Sequence, residues 1–179
     1  WFLFINVYKV VMVRMFMEGM RYEKIHTQRV FYLLKVRKWV QACLTMCVMR
    51  AYKLLWWFTI VGGLIKHYSY FMVPYIVAEN PEIGANETIT LSRKMMNGHK
   101  WELFILDLSF LGWEILGAFT GWIVNILITR PYKETTMCEY YAMLRRIGKE
   151  KKIPGSQLLN DRYLFETPSQ EMLLMAYGD

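Results

Sequence analysis

The chain has 179 residues, of which 55% are hydrophobic, 16% aromatic and only 21% charged, yet its formal net charge is +7. Soluble domains carry roughly 25% charged residues, and a mean hydropathy of +0.16 beside so basic a balance fits a membrane protein with basic ends. The composition excludes a disordered or collagen-like chain, and Cys43, Cys47 and Cys138, three in number, exclude a disulfide scaffold.

The chain opens at Trp1 inside the apolar run Trp1-Phe2-Leu3-Phe4-Ile5, without the layout of a secretory signal. The expectation is that residues 1–153 are a membrane helix bundle, the C-terminal part of a longer membrane domain. Residues 1–17 are apolar apart from Asn6, Lys9 and Arg14, and 18–38 are polar and basic. Trp39 to Ile65 then runs 27 residues with only Arg50 and Lys53 charged, enough to exceed the roughly 20 apolar residues that span a bilayer. Gly62-Gly63 is the natural place to divide 39–78 into two helices.

Residues 79–100 are polar and read as one short helix over 81–97. Asn80 suits the N-cap and Pro81 the first helical position. Glu82 and Glu87 near the start, with Arg93 and Lys94 near the end, agree with the helix dipole, and Gly98 ends it. Ala85, Ile89, Ser92 and Met96 form a narrow seam, as in an interfacial amphipathic helix or one docked on its own bundle.

A third apolar block, Trp101 to Thr129, carries only Glu102, Asp107 and Glu114 as charges. Residues 130–152 are basic, and Pro154-Gly155 opens what reads as an extra C-terminal tail, 154–179. Segment 18–38 holds six Lys and Arg, and 130–152 holds seven, so both are expected on the cytoplasmic side together with 79–100. Two cytoplasmic flanks favour a hairpin at 101–129, turning near Gly117–Gly121, over a single crossing. Gly117 and Gly121 also make a GxxxG pattern, which favours close helix packing.

Charge inside the apolar blocks is the most informative feature. Asp107 and Glu114 are seven apart and nearly eclipsed on a helix, with Asn125 near the same face; Arg50 and Lys53 share a face. A charged side chain in a membrane helix faces a partner or water. One reading is an ion path or an anionic-headgroup pocket. The other, preferred, is that Asp107 and Glu114 pair with Arg50, Lys53 or Arg14 to set helix register.

Other signals are thin. Cys43 and Cys47 share a face without further ligands at metal-site spacing. His26, His67 and His99 are scattered, and His99 with Glu102 is only an i, i+3 pair. Asn86-Glu87-Thr88 matches a glycosylation acceptor on a segment placed in the cytoplasm. There is no phosphate-cradling glycine loop and no nucleophile elbow. Tyr132, Tyr140 and Tyr141 interleave with basic residues, a pattern that suits anionic lipid headgroups rather than nucleic acid.

The middle of the chain carries a set of blocks: Lys66-His67-Tyr68-Ser69-Tyr70, Pro74-Tyr75, Ala78-Glu79-Asn80-Pro81, Asn97-Gly98-His99-Lys100-Trp101, Leu108-Ser109-Phe110-Leu111-Gly112-Trp113 and Pro131-Tyr132. Over about 66–145 it resembles the bacterial integral-membrane family known as domain of unknown function 975, found mainly in Gram-positive bacteria. The resemblance implies a multi-helix, multi-pass cell-membrane protein and supplies no activity, cofactor or catalytic residue.

The expected fold class is therefore all-α, a polytopic membrane helix bundle with helical hairpins and an interfacial amphipathic helix. The expected function is that of a non-enzymatic membrane subunit or scaffold, without a cofactor, contacting the bilayer, anionic headgroups and a membrane protein partner. The alternative is a small transporter or channel component using Asp107 and Glu114. A lipid-modifying enzyme lacks any nucleophile–base or metal constellation.

Overall fold

The computed structural model describes residues 2–20, 39–57, 60–119 and 125–161. Every regular element among them is helical: α1 (Phe2–Gly19), α2 (Trp39–Trp57), α3 (Ile60–Ser69), α4 (Val73–Glu79), α5 (Ala85–Met95), α6 (Lys100–Phe119) and α7 (Arg130–Glu150). A π-helical turn, Asn125–Thr129, leads into α7, and a 3-10 turn, Ser156–Leu158, follows it.

The shortest helix is the centre. All seven residues of α4 are buried, apolar on every side up to the closing Glu79, and Pro74 sits in its first turn where a missing N–H costs nothing. Around it pack α1, α2 and α5, while Tyr75 stacks on Tyr141 of α7 with ring centroids 5.4 Å apart. Each outer helix turns one stripe inward. On α1 it is Val10, Val13 and Met17; on α7 it is Met137, Cys138, Tyr141, Leu144 and Arg145, the spacing of one helical face.

Two hairpins flank this centre. Trp56 meets Lys66 and Tyr52 meets Tyr70, so α3 folds back along α2. Gly62-Gly63, the predicted break, is inside α3. Likewise Glu102 meets Tyr140, Phe110 meets Tyr132 and Glu114 meets Lys133, so α7 runs antiparallel along α6. The chain doubles back after α6, but α6 runs to Phe119 and the helix that returns along it, α7, begins beyond the apolar block and reaches Glu150, so this is not the hairpin expected within 101–129. Gly117 lies against Asn125 so closely that a Cβ there would overlap the Asn125 side chain; Gly121 is outside the described residues.

The polar segment is helical later than its cap signals suggest. Gly84, not Asn80, is the N-cap of α5. The Asn80 side chain instead accepts the Glu82 N–H at 3.0 Å, an Asx turn that uses the chemistry of a cap without starting a helix. The far end agrees with expectation: α5 stops at Met95, and Gly98 has φ +90°. Ile89, Ser92 and Met96 are buried, so the seam docks on the protein's own bundle. Residues 156–161, read as part of a separate tail, reach back to the core, where Leu159 is fully buried.

Of the predicted fold class, the all-helical part is what the structure shows. Among the described residues no helix is long and apolar enough to cross a membrane. In α6 the reason is its charge. Its 20 residues rise about 30 Å, but they include Glu102, Asp107 and Glu114. The outer faces are nevertheless apolar: Trp101 (68% exposed), Ile105, Leu108, Leu111 and Ile115 on α6, Leu54, Leu55 (70%) and Trp56 on α2, Leu64 and Ile65 on α3.

The two glycines of α6 should respond oppositely to substitution. Gly117→Ala forces Asn125 out of place and should lower stability by about 1–3 kcal/mol. Gly112→Ala, with nothing within 4 Å of the added Cβ, should be neutral or stabilising by about 0.5–1 kcal/mol. Chemical unfolding in detergent followed by circular dichroism measures both.

Candidate functional site

Asp107 and Glu114 lie on one flank of α6, as their spacing requires, and α7 brings a single cation between them. The Lys133 ammonium is 2.7 Å from Asp107 and 2.8 Å from Glu114. The Tyr68 hydroxyl approaches Asp107 at 3.4 Å, and the Phe110 ring lies 5.8 Å from the ammonium. Burial works to lower the pKa of Lys133, but hydrogen bonds to the two carboxylates and their charges outweigh it and raise the value, so the ammonium stays charged.

The acidic pair thus has a partner, but not the one expected. Neither Arg50 nor Lys53 reaches Asp107 or Glu114; Lys133, on the basic segment after the apolar block, does. Arg14, the third cation considered, belongs to a different cluster. The side chains around Lys133 are a quarter to a half exposed, so solvent screens the pairing and its contribution is small.

The deeper cluster is at the end of α4. The Glu79 side chain is 0% exposed. Arg145 donates from Nε to both carboxylate oxygens at 2.9 and 3.0 Å, and its Nη2 stands 2.9 Å from Oε1. The Tyr141 hydroxyl donates to Oε2 at 2.7 Å. Tyr141 and Arg145 are one turn apart on α7 and so face Glu79 together. The same guanidinium donates to the Leu159 carbonyl at 2.9 Å.

Next to it, Arg14 donates to Glu18 at 2.7 Å, to Asp161 at 2.6 Å and to the Ala78 carbonyl at 3.0 Å. That last bond satisfies one of the acceptors a helix leaves open at its C-terminus. Asn80 closes the layer by donating to the Leu158 carbonyl at 2.9 Å. Four stretches distant in sequence (α1, the end of α4, α7 and 158–161) meet at this polar layer.

Burial, then the charge of Glu79 and its hydrogen bond, raises the Tyr141 pKa well above the ordinary phenol value. Cys138, one turn earlier, is pushed up to about 12 by burial and then by Glu134 and Glu139, so its thiol is inert. Tyr140, on the outer side, is also raised to about 12, by burial and then by Glu102; its hydroxyl donates to the His99 carbonyl at 3.0 Å. His99 and Glu102 meet at 2.9 Å. Among the described residues no group of three His, Cys, Asp or Glu side chains is arranged to hold a metal. The two charge clusters hold helices together.

A family model described as Protein of unknown function (DUF975) matches residues 41–147. The chain belongs to this family. No curated protein and no solved structure matches it. The span matched to DUF975 contains Glu79, Tyr141 and Arg145, and also Asp107, Glu114 and Lys133, whereas Arg14, Glu18 and Asp161 lie outside it. The Glu79 cluster was not among the sequence's candidate sites. The available signals were Glu79-Asn80-Pro81 at the edge of an apolar block and the Tyr141–Arg145 spacing; nothing local connects them.

The Glu79–Arg145 pair should behave as a unit. Glu79→Gln or Arg145→Met alone leaves its partner buried and uncompensated, at a cost of about 3–5 kcal/mol. The combined Glu79→Gln/Arg145→Met change should cost clearly less than the sum. Tyr141→Phe should cost about 1 kcal/mol. The phenol carries a sign as well: free tyrosine ionises near pH 10. Above that pH the unfolded chain holds fewer protons than the folded one, so stability falls as pH rises. Tyr141→Phe should flatten that alkaline fall, measured by unfolding at a series of pH values.

Proposed function

We propose that the protein is a non-enzymatic membrane subunit or scaffold, a multi-pass helical bundle whose outer faces meet lipid. One observation carries this reading: large apolar side chains cover the exposed faces of α2, α3 and α6, while the carboxylates of α6 at Asp107 and Glu114 are paired with Lys133 on the opposite flank. Contiguous apolar surface on this scale marks a membrane or protein contact. Paired charges are an arrangement that membrane helices tolerate.

The hydropathy of α6 counts Asp107 and Glu114 as though lipid met them. With Lys133 holding both, Trp101, Ile105, Leu108, Leu111 and Ile115 form an exposed apolar stripe flanked by Glu102 and Glu114. Pairing also accounts for the two carboxylates without an ion path, so the transporter reading has no separate support. The basic residues of α5 and α7 suit the cytoplasmic headgroup layer, with a membrane protein partner on the remaining surface.

The test uses the full chain in cell membranes. Washing with alkaline carbonate should leave it in the membrane pellet. In a chain whose three cysteines are replaced by alanine, Glu87→Cys and Glu150→Cys should resist an impermeant maleimide in intact cells and react in inverted vesicles. Release by carbonate contradicts integral insertion; labelling in intact cells contradicts the orientation.

A further inference from the structure

Where the last turn of α3, the second half of α5 and the start of α6 converge, they enclose a cleft of about 370 Å³, within the range of small-molecule sites. Its polar lining comes from Lys66, Arg93, Lys94, Lys100, Asn97 and Ser69. Among the described residues no carboxylate lies within salt-bridge distance of any of the four cations. The Lys66 ammonium stands in the field of Arg93 and Lys100.

Helix dipoles explain part of this clustering, since Lys66 ends α3 and Arg93 and Lys94 end α5. They do not explain Lys100. It is the first residue of α6, where the dipole repels a cation and the unpaired N–H groups favour an anion. A bound anion would offset both the mutual repulsion and this misplaced charge. The cleft also has an apolar margin. Ile65, at its lip, is exposed, and Lys66 lies over the Trp56 ring at 4.6 Å, next to exposed Leu55 and Leu64.

We infer that this cleft binds a phosphate-bearing anion, the phosphate being held by Lys66, Arg93 and Lys100. Where the anion is a lipid headgroup, its acyl part runs past Ile65 onto the apolar outer faces. The lipid form rests on the membrane reading above; the phosphate chemistry does not.

The experiment measures the thermal unfolding of the full chain in uncharged detergent, with dioctanoyl phosphatidic acid, dioctanoyl phosphatidylcholine or inorganic phosphate added. Phosphatidic acid should raise the midpoint saturably and phosphatidylcholine should not. Arg93→Gln/Lys100→Gln should weaken the apparent affinity at least tenfold. Its ligand-free midpoint should be unchanged or higher, because repulsion is relieved. Arg146→Gln/Lys151→Gln, exposed on α7 and at its C-cap, should respond as the unchanged chain does.

Inorganic phosphate acting as well as the lipid identifies a soluble phosphate as sufficient; action by the lipid alone identifies a headgroup site. If neither shifts the midpoint, or the double variant responds like the unchanged chain, the inference fails. It also fails if neutralisation only lowers the ligand-free midpoint, which would make the cations dipole partners and nothing more. A chain released by carbonate that still responds to phosphate would remove the membrane reading and leave the cleft standing.

Discussion

A carboxylate buried at the C-terminal end of a helix is opposed by both the helix dipole and its own desolvation. Glu79 is in that position, with a side chain fully removed from solvent, and the arrangement of the bundle follows from how it is compensated. Arg145 supplies a forked cation and Tyr141 a hydroxyl, which fixes α7 on α4. Arg14 takes the adjacent Ala78 carbonyl and joins Asp161 to α1. The donors come from α1 and α7 and their acceptors from α4 and 158–161, so the layer forms only when all four stretches are in place. Breaking it from one side strands a charge. That sensitivity makes the layer a device for a single register more than a source of net stability.

Docking α7 by its Tyr141–Arg145 face has a consequence three turns upstream. Lys133 then lies opposite α6, between Asp107 and Glu114. On α6 the two carboxylates that Lys133 holds lie on one flank, while Trp101, Ile105, Leu108 and Ile115 are left outside. In water that outer face is a liability; against hydrocarbon it is the favourable side. The membrane reading proposed for the protein depends on this segregation and not on the apolar length of any one helix.

Features governed by local spacing were legible in the sequence. The all-helical class, the shared face of Asp107 and Glu114 and the stop at Gly98 all follow from period and turn chemistry. Features set by distant partners were not. Glu79 and Arg145 are 66 residues apart, and no periodicity links them. Lys133 was passed over because it lies beyond the apolar block, and only the hairpin returns it to Asp107. Asn80 misled for a subtler reason: its side chain accepts a backbone N–H two residues on, which is cap chemistry used to turn the chain. Gly62-Gly63 sits within α3 because glycine permits a break without requiring one. Segment 21–38, whose basic residues shaped the expected topology, lies outside the described residues.

The central claim, that α6 turns its apolar stripe to lipid with Asp107 and Glu114 held by Lys133 on its flank, can be measured directly with nitroxide labels in reconstituted bilayers. Labels replacing Ile105, Leu108 and Ile115 should collide more often with oxygen, which concentrates in hydrocarbon, than with a water-soluble nickel chelate. A label replacing exposed Arg146 on α7 should show the reverse. Collision rates that favour the nickel chelate at all four positions would mean that α6 faces water, and the account would be wrong.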